Sequence, residues 1–223
     1  MRWTGPSLAR LVVELDQAPG IAETAETAVE HAVSAIAATS AGLVLNQSGN
    51  PVAAVTTDPA VEELHEFELG AKAGPVMEAF TNRTMVGIDD TAVELRWPAW
   101  QQTVVGLGLR TELHVPLMAS GNLIGVVSWY HTEPKAFSHD DIAIAELIAA
   151  HTAIALHTAR TAAVLDEAVD ARRLLGQALG ILMERHDIEE QHAFAILRRY
   201  SQHTNTKLRD VAAQLIETRR LPD

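Results

Sequence analysis

Three runs decide the fold of the C-terminal end of this chain: RRLLGQALGILMER at residues 172–185, AFAILRRYS at 193–201 and NTKLRDVA at 205–212. In each run, apolar residues recur at the three- and four-residue spacing of one helix face. The last helix shows the pattern most clearly, in its apolar positions Leu208, Val211, Ala212, Leu215 and Ile216. Three such faces bury one another only as a compact three-helix bundle.

Capping residues mark where these helices begin and end. Asp187 stands three residues before a glutamate, in the form of a capping box that would open the second helix. Asn205 or Thr206 is expected to cap the third helix, and Pro222 is expected to end it. These signals predict short connections between the three helices.

One long helix is expected to lead into the bundle. No proline interrupts the chain between Pro134 and Pro222, and Ser138 with Asp141 forms a capping signal at the start of the segment. Alanine-rich or apolar helical sequence then continues as far as Met183. The first helix of the bundle is therefore predicted to be the end of this long helix.

The long helix carries an imperfect seven-residue repeat. One position of the repeat holds Leu147, Ile154, Thr161, Ala168, Leu175 and Leu182. The companion position holds His151, Thr158, Leu165, Arg172 and Leu179. A repeat of this kind predicts a parallel coiled coil, and thus a homodimer through the long helix. The alternative is a long helix that packs along its own domain.

Charge is distributed unevenly along the chain. The 223 residues carry a net charge of −12, of which residues 1–163 hold −11. Residues 164–223 hold 9 basic and 10 acidic side chains. Because a strongly negative surface repels polyanions, any nucleic-acid contact is expected at the C-terminal end and through a focused basic patch.

Composition also limits the compartment and the chemistry. The chain contains no cysteine, which excludes disulfides, thiolate metal sites and thioether-linked chromophores. It has no uninterrupted apolar run of about eighteen residues and no charged-then-apolar leader, so we expect a cytoplasmic protein with no membrane contact. Its 14 arginines against 3 lysines are typical of GC-rich bacterial genomes, including those of actinobacteria.

The preceding residues alternate short strands with helices. Tight-turn sequences at Ser48-Gly49-Asn50 and Ala119-Ser120-Gly121 predict two β-hairpins. The predicted strands cover 41–46, 51–56, 84–87, 110–118 and 122–130, and the predicted helices cover 23–39, 74–80 and 98–107. The pattern predicts an α+β fold, in which helices flank an antiparallel sheet. We assign residues 1–19 to an N-terminal segment, 20–158 to this domain and 159–222 to the helical bundle.

The three C-terminal runs resemble the ANTAR domain, the RNA-binding output module of bacterial transcription antitermination regulators. The resemblance implies that the partner is RNA, in the form of paired hairpins in the leader of a nascent transcript. The residues that it implies for RNA binding are Arg185, Arg198, Arg199, Tyr200, Lys207, Arg209, Gly176 and Gly180. Tyr200 also lies on the apolar helix face, so it is either a stacking ring or a core residue. The two glycines would allow close approach of another helix or of the RNA.

One position departs from the family pattern. Many ANTAR domains carry a lysine between the alanine and the glycine of the first helix, whereas this chain has Leu179. The departure predicts one lost basic contact with RNA and a flatter dependence of binding on salt. It also supplies a leucine that a coiled coil could use.

Residues 113–118, LHVPLM, and 121–127, GNLIGVV, resemble the core hairpin of the GAF fold. Phe137 and Ser138, at the start of the closing helix, fit the same pattern. The resemblance covers residues 20–158 and implies a sensor domain with a pocket for a small ligand. A GAF sensor joined by a long helix to an ANTAR module is a familiar order.

Five residues are candidates to line that pocket: Met85, Trp97, Trp100, His114 and Trp129. Each would equally serve as a core residue of a small domain. The chain lacks the attachment cysteine of phytochromes and the asparagine-lysine-phenylalanine-aspartate-glutamate signature of cyclic-nucleotide GAF domains. The sequence therefore supports neither a bilin nor a cyclic nucleotide, and the ligand or cofactor is unknown.

No sequence motif indicates catalysis or a metal site. The chain has no Walker loop, no G-x-S-x-G and no G-x-G-x-x-G. The pairs His151/His157 and His186/His192 are six residues apart, which is not the spacing of a helical zinc pair. We expect no catalytic residue and no metal ligand.

These features predict a signal-responsive RNA-binding regulator of transcription antitermination, in which the GAF domain controls a dimeric ANTAR domain. Two alternatives stay open. Helices over 189–202 and 207–218 would also suit a helix-turn-helix that binds DNA. A helical end with almost no net charge would also suit docking of a protein partner in signalling, without any nucleic acid.

Overall fold

The computed structural model describes residues 5–220. The chain divides between Arg160 and Thr161 into two compact units. Pro222, the expected end of the last helix, lies outside the described residues, as do the first four residues of the N-terminal segment.

Within the described residues, the structure contains eight α-helices, five strands and a short 3-10 helix over Thr91–Val93. The helices are α1 (Gly5–Gln17), α2 (Ile21–Ala35), α3 (Pro59–Ala71), α4 (Pro75–Asn82), α5 (Pro98–Gly106), α6 (His139–His186), α7 (Glu190–Thr204) and α8 (Leu208–Thr218). The strands are β1 (Ser40–Gln47), β2 (Asn50–Thr56), β3 (Val86–Ile88), β4 (Thr111–Ala119) and β5 (Asn122–His131). The predicted α+β class is confirmed.

The five strands form one antiparallel sheet in the order β2-β1-β5-β4-β3. Both predicted hairpins are present. At the tip of the β4–β5 hairpin, Ser120 and Gly121 have φ of 50° and 77°. Two successive positive φ angles give the turn whose twist matches that of the paired strands, which explains why a small polar residue and a glycine occupy it.

Alternation along the strands builds a core on each face of the sheet. The first core packs α1, α2 and the beginning of α6 against Leu113, Val115 and Leu117 of β4. The second core lies under α3, α4 and α5 and includes Trp100 and Tyr130. The strand residues that face the second core include several buried polar side chains.

The second unit is the expected three-helix bundle. The C-terminal part of α6 packs with α7 and α8 around Leu182, Leu197, Val211 and Leu215, none of which is exposed. Leu179 is also in this core, at 7% exposure. The bundle therefore uses the leucines at the end of the seven-residue repeat for its own packing.

The helix boundaries confirm one capping signal and correct two others. The backbone N–H and hydroxyl of Ser138 donate to Asp141 at 2.8 and 2.6 Å, as expected for the start of α6. Asp187 does not open α7; it adopts φ 51° immediately after α6. Asn205 is the left-handed cap that ends α7, and Lys207, rather than Asn205 or Thr206, precedes α8. Asn and Asp tolerate the left-handed conformation, so they can end a helix as readily as begin one.

Helix α3 was not anticipated, although its start is well marked. The Asp58 carboxylate accepts a hydrogen bond from the Ala60 N–H at 2.8 Å, and Pro59 occupies the first turn. The buried face of α3 is half polar, because it carries His65 and Glu68 beside apolar residues. That composition hides the apolar periodicity on which helix prediction depends.

Helix α6 is the one described helix that is long and apolar enough to cross a membrane. In the folded first unit, however, Ala145, Ile148 and Leu156 of this helix pack in the first core. Core helices of globular proteins meet the same length and composition criteria, so these two properties alone do not indicate a membrane span.

Candidate sensor site and nucleic-acid surface

Six polar side chains, here called the polar cluster, lie in the second core. They are His65 and Glu68 of α3, Glu112 and His114 of β4, and Ser128 and Tyr130 of β5. None is more than 1% exposed. Residues two apart on a strand share a face, and residues three apart on a helix share a side, so the three elements direct all six towards one region.

His114 is hydrogen-bonded on both ring nitrogens. Its Nδ1 lies 2.9 Å from the Ser128 hydroxyl, and its Nε2 lies 2.9 Å from Glu112 Oε2. A hydroxyl, an imidazole and a carboxyl in this order also form the triad of many hydrolases. Here all three side chains are fully buried, so this conformation gives no substrate access to the serine. The arrangement acts as an internal hydrogen-bond network.

His65 forms the second branch of the cluster. Its Nε2 lies 2.8 Å from the Tyr130 hydroxyl, while its Nδ1 has no hydrogen-bond partner. The His65 ring packs against Gly42 of β1, where a Cβ would lie only 2.6 Å from His65 Cε1. Glycine at position 42 therefore makes room for the imidazole.

Glu68 joins three helices. Its carboxyl group accepts hydrogen bonds from the Val76 N–H at 2.8 Å and from Trp100 Nε1 at 3.1 Å. Gly74 precedes α4 with φ of 130°, and a side chain there would collide with the Glu68 carboxyl. Glu68 thus connects α3 with the first turn of α4 and with the indole of α5.

Burial disfavours the charged forms of the ionisable side chains in the polar cluster. It lowers the pKa of His114 to about 3, and burial together with the neighbouring His114 lowers the pKa of His65 to about 3. Burial raises the pKa of Glu68 and of Glu112 well above the usual value of 4.5. Both imidazoles are therefore neutral at neutral pH, and the raised pKa of each carboxyl group favours its protonated form. His65 Nδ1 and Glu112 Oε1 are left without partners.

The five predicted pocket residues do not lie together in one region of the fold. Trp100 and His114 lie in or beside the polar cluster, and Trp97 packs edge-on against Trp100 at 5.7 Å between ring centroids. Met85 is 42% exposed. Trp129 lies in the first core, on the other face of the sheet, where its Nε1 donates to the Ala32 carbonyl at 2.9 Å. The side chain direction alternates along β5, which separates Trp129 from Tyr130.

Five members of the polar cluster were not predicted from the sequence: His65, Glu68, Glu112, Ser128 and Tyr130. The available signal was the spacing of Glu112 with His114, which places two polar side chains on one face of an otherwise apolar strand. Such a pair in a buried strand requires partners on the same face.

The predicted RNA-binding residues occupy different settings in the second unit. Arg198 and Arg199 are exposed on α7, and Lys207 is exposed just before α8. Arg209 is paired with Glu167 of α6 at 2.7 Å. Arg185 donates from Nη1 to the Arg219 carbonyl at 2.6 Å. Tyr200 is partly buried against the bundle core.

Leu179 and the two glycines, Gly176 and Gly180, have different surroundings in the first helix of the bundle. Leu179 faces the bundle core, so at this position the chain has exchanged a surface contact for packing. A Cβ at Gly176 or at Gly180 would meet no atom within 4 Å. Close packing of helices therefore does not account for either glycine.

Two family models match the chain. A GAF domain model matches residues 18–157, and an ANTAR domain model matches residues 163–216. The chain belongs to the GAF family and carries an ANTAR domain. GAF domains are sensors that bind small ligands, and ANTAR domains are regulatory RNA-binding modules. This GAF–ANTAR protein is therefore a signal-regulated protein of the ANTAR type.

Solved structures show the same fold at low sequence identity. The GAF domain of a phosphoenolpyruvate-protein phosphotransferase from Acinetobacter is 15% identical, with a TM-score of 0.56, and the match covers 71% of this chain and 95% of that one. Its counterpart from Coxiella burnetii is 18% identical, with the same score and coverage. The photosensory core module of the Stigmatella aurantiaca phytochrome is 12% identical, with a TM-score of 0.61, over 88% of this chain and 44% of that one. No curated protein matches the chain.

Proposed function

We propose that this GAF–ANTAR protein is a cytoplasmic regulator of transcription antitermination that binds paired RNA hairpins in response to a small molecule. The observation that carries the proposal is a set of exposed cations on α7 and before α8: Arg198, Arg199 and Lys207. Within the described residues, none of the three forms an ion pair. Cations without acidic partners are available to phosphate oxygens.

The chemistry of these side chains suits a structured RNA. A guanidinium group binds phosphate through two parallel hydrogen bonds, and a lysine adds a point charge. Hairpin loops also present unpaired bases, which proteins read through stacking and hydrogen bonds. Because the second unit is close to neutral overall, specificity depends on this local patch rather than on a general field.

Two protein subunits would provide two RNA sites. The exposed large apolar residues of α6 are Leu147, Ile154, Val164, Leu165 and Val169, at 42 to 67% exposure. All five occupy either the two repeat positions that form the contact surface of a coiled coil, here called the seam, or positions that flank them. They therefore lie on one side of the helix. Leu175, Leu179 and Leu182 are not available to the seam, because they pack in the bundle. We therefore place the dimer contact before residue 170.

Dimerisation would couple the two hairpins of one transcript. Once one hairpin is bound, the second meets its site at a high effective concentration. A GAF domain that alters the α6 pairing on binding its ligand would then control RNA affinity. We propose that the ligand acts at the polar cluster, which holds two buried polar atoms without hydrogen-bond partners, His65 Nδ1 and Glu112 Oε1. Trp129 is outside this site, since it lies on the other face of the sheet.

A mobility-shift titration tests the proposed function. RNAs with two hairpins and randomised loops are first enriched on the full-length protein. The best RNA is then compared with its single-hairpin half and with duplex DNA at two salt concentrations. We expect tight binding of the two-hairpin RNA only. Preferred binding of palindromic duplex DNA would select the helix-turn-helix alternative, and no enrichment of any RNA would favour docking of a protein partner.

A double variant with two reversed charges tests the proposed RNA surface at single residues. Arg198→Glu combined with Lys207→Glu should lower RNA affinity at least about tenfold and reduce the salt slope by about two units, one for each lost phosphate contact. The matched control is Lys72→Glu combined with Arg83→Glu, which changes the net charge equally in the first unit. Equal losses in the two double variants would contradict a localised RNA surface.

A further inference from the structure

One ion pair in the second unit joins an acidic part of α6 to the beginning of α8. Nη1 of Arg209 donates a hydrogen bond to Oε1 of Glu167 at 2.7 Å, across 42 positions of sequence. Nε of Arg209 also lies 3.8 Å from Oδ1 of Asp210, its neighbour in α8. Two carboxylates thus surround one guanidinium group, whereas the three exposed cations of the proposed RNA surface form no ion pair within the described residues.

Glu167 lies on the side of α6 that faces the bundle. From Glu167, steps of four, three and four residues along α6 lead to Ala171, Leu174 and Ala178, which is the spacing of one helix face. Leu174 packs against the bundle core, and Ala178 is buried in it. The carboxylate is therefore directed towards α8 by the same helix geometry that builds the core.

The part of α6 around Glu167 is acidic. Residues 161–170 hold three acidic side chains, Asp166, Glu167 and Asp170, and no basic one. Asp170 pairs with Arg173 of the same helix at 3.4 Å. Asp166 forms no ion pair within residues 5–220. Of the three carboxylates, Glu167 alone pairs with α8 in this part of the chain.

A carboxylate can take the place of a phosphate on a guanidinium group. Both anions present oxygen acceptors, and arginine binds either of them through the same N–H donors. Arg209 is among the residues that the ANTAR resemblance implies for RNA binding. RNA can use the N–H donor that holds Glu167 only by displacing the carboxylate, and the acidic part of α6 also repels the approaching phosphates.

We propose that Glu167 is an intramolecular competitor of RNA: its carboxylate occupies Arg209 and lowers the affinity of the protein for its transcript. The inference rests on the proposed function, because competition of this kind requires RNA to be the partner of the second unit. It adds to that function a residue that opposes binding. An exposed ion pair is weak, so the contact delays no RNA permanently and sets only how much binding must overcome.

The proposed dimer seam lies on the other side of the same part of α6. Leu165 and Glu167 are two residues apart, so their side chains point about 200° apart around the helix. A partner helix can therefore pack on the seam while Glu167 holds Arg209. Removal of the carboxylate should leave the oligomeric state unchanged, which separates its effect on RNA binding from any effect of dimerisation.

Removal of one charge tests the competition. Glu167→Gln keeps the shape and the helix propensity of the side chain, so it should raise the affinity for the two-hairpin RNA about three- to fivefold, the effect of one exposed ion pair. The salt dependence should steepen by about one unit of slope, because one more phosphate contact forms without the loss of an ion pair. Mobility-shift titration at two salt concentrations measures both quantities.

Asp166→Asn is the matched control. It removes the same charge from the neighbouring residue, whose exposed carboxylate is screened by salt, and should raise the affinity by less than about twofold. No gain in Glu167→Gln, or the same gain in both variants, would overturn the proposal.

A second background identifies the cation on which Glu167 acts. In Arg209→Gln the guanidinium group is absent, so adding Glu167→Gln should give no larger gain than adding Asp166→Asn. A full gain in that background would show that the carboxylate acts through the general charge of α6, which would also overturn the proposal. Far-UV circular dichroism and sedimentation equilibrium check that each variant keeps the fold and the oligomeric state of the wild type.

The two proposals fail in different ways. If neither the wild type nor Glu167→Gln binds hairpin RNA, the proposed function fails and the competition fails with it. If the wild type binds the two-hairpin RNA and Glu167→Gln binds it no better, the RNA contact stands and only the competition fails. Weaker binding by Glu167→Gln would show that the ion pair supports the RNA surface, and it would likewise exclude a competitor.

Discussion

Single residues in this protein show how burial changes the role expected of a side chain. Leu179 occupies a position that is often basic in ANTAR domains, and the structure buries it in the bundle core at 7% exposure. Arg209, an expected RNA contact, is paired with Glu167. An exposed pair of this kind is worth at most about 1 kcal/mol, so phosphate can displace the carboxylate.

The buried position of Leu179 predicts a specific loss of stability. Leu179→Ala should lower the free energy of unfolding of the second unit by about 2–4 kcal/mol, because it leaves a cavity among the helices. The four tryptophans all lie in the first 129 residues. Tryptophan fluorescence therefore follows the first unit, and far-UV circular dichroism follows both.

Denaturation followed by both probes distinguishes the unfolding of the first unit from that of the second. The change in Leu179→Ala should appear in the dichroism transition and not in fluorescence. The conservative variant Leu179→Met should behave almost as wild type. An unchanged dichroism transition in Leu179→Ala would show that Leu179 does not pack in the bundle.

At the scale of elements, α6 serves three purposes along its length. Its beginning completes the first core, its end supplies one third of the ANTAR bundle, and residues 161–170 between them are exposed on every side. An isolated exposed helix that carries valines and leucines on one side is the form of an unpaired coiled-coil strand. The seven-residue repeat of the sequence therefore covers two different surfaces: an exposed apolar side before residue 170, which we propose as the dimer seam, and a bundle core after it.

A pair of substitutions in α6 tests the seam. Leu165→Glu should convert the dimer into a monomer at micromolar concentration, because it places a charge in the apolar contact. Ala163→Glu adds the same charge on the other side of the helix, about 200° away, and should leave the dimer intact. Sedimentation equilibrium measures both. A wild-type protein that is already monomeric, or a Leu165→Glu variant that stays dimeric, would contradict the seam.

For the whole molecule, the polar cluster makes the stability of the first unit depend on pH in two opposite ways. His65 and His114 have pKa values of about 3 when folded and about 6.5 when unfolded. The native state binds fewer protons than the unfolded state in that interval, so stability is complete above pH 6.5 and falls as pH falls towards 3. Each histidine contributes up to about 1.4 kcal/mol per pH unit.

The carboxyl groups have the reverse effect. Burial raises the pKa of Glu68 and Glu112 above 4.5, so the native state keeps protons that the unfolded state releases. Their contribution is complete below the unfolded pKa of about 4.5 and is lost as pH rises towards the folded values. The two effects together predict that the first unit is most stable between about pH 4.5 and 6.5.

Urea denaturation followed by tryptophan fluorescence from pH 4 to pH 9 measures this profile. The wild-type midpoint should fall on the alkaline side of pH 6.5, and Glu112→Gln should reduce that fall. Glu63→Gln, at an exposed position of α3, should leave the profile unchanged. A wild-type midpoint that stays constant above pH 6.5 would show that Glu68 and Glu112 do not retain their protons in the folded first unit above that pH.

Local features of this protein followed from its sequence alone. The apolar spacing of α8, the Ser138–Asp141 cap and the two tight hairpin turns each depend on residues within one turn of each other along the chain. The resemblance to the GAF and ANTAR families depended on such local runs, and the family models confirm it. Local order is enough because a helix face or a two-residue turn is specified by neighbouring side chains.

The tertiary structure decided which polar residues are buried and which apolar residues are left exposed. His65 meets Tyr130 across 65 positions of sequence, and Glu68 meets Trp100 across 32. Strand pairing and helix packing bring these residues together, and no local pattern encodes such distant contacts. The same packing placed Trp129 and Tyr130 on opposite faces of the sheet, and it assigned Leu179 to the bundle core and Leu165 to the surface. Burial is a property of the assembled fold, and it both shifts the pKa values of the cluster and leaves the apolar side of α6 exposed.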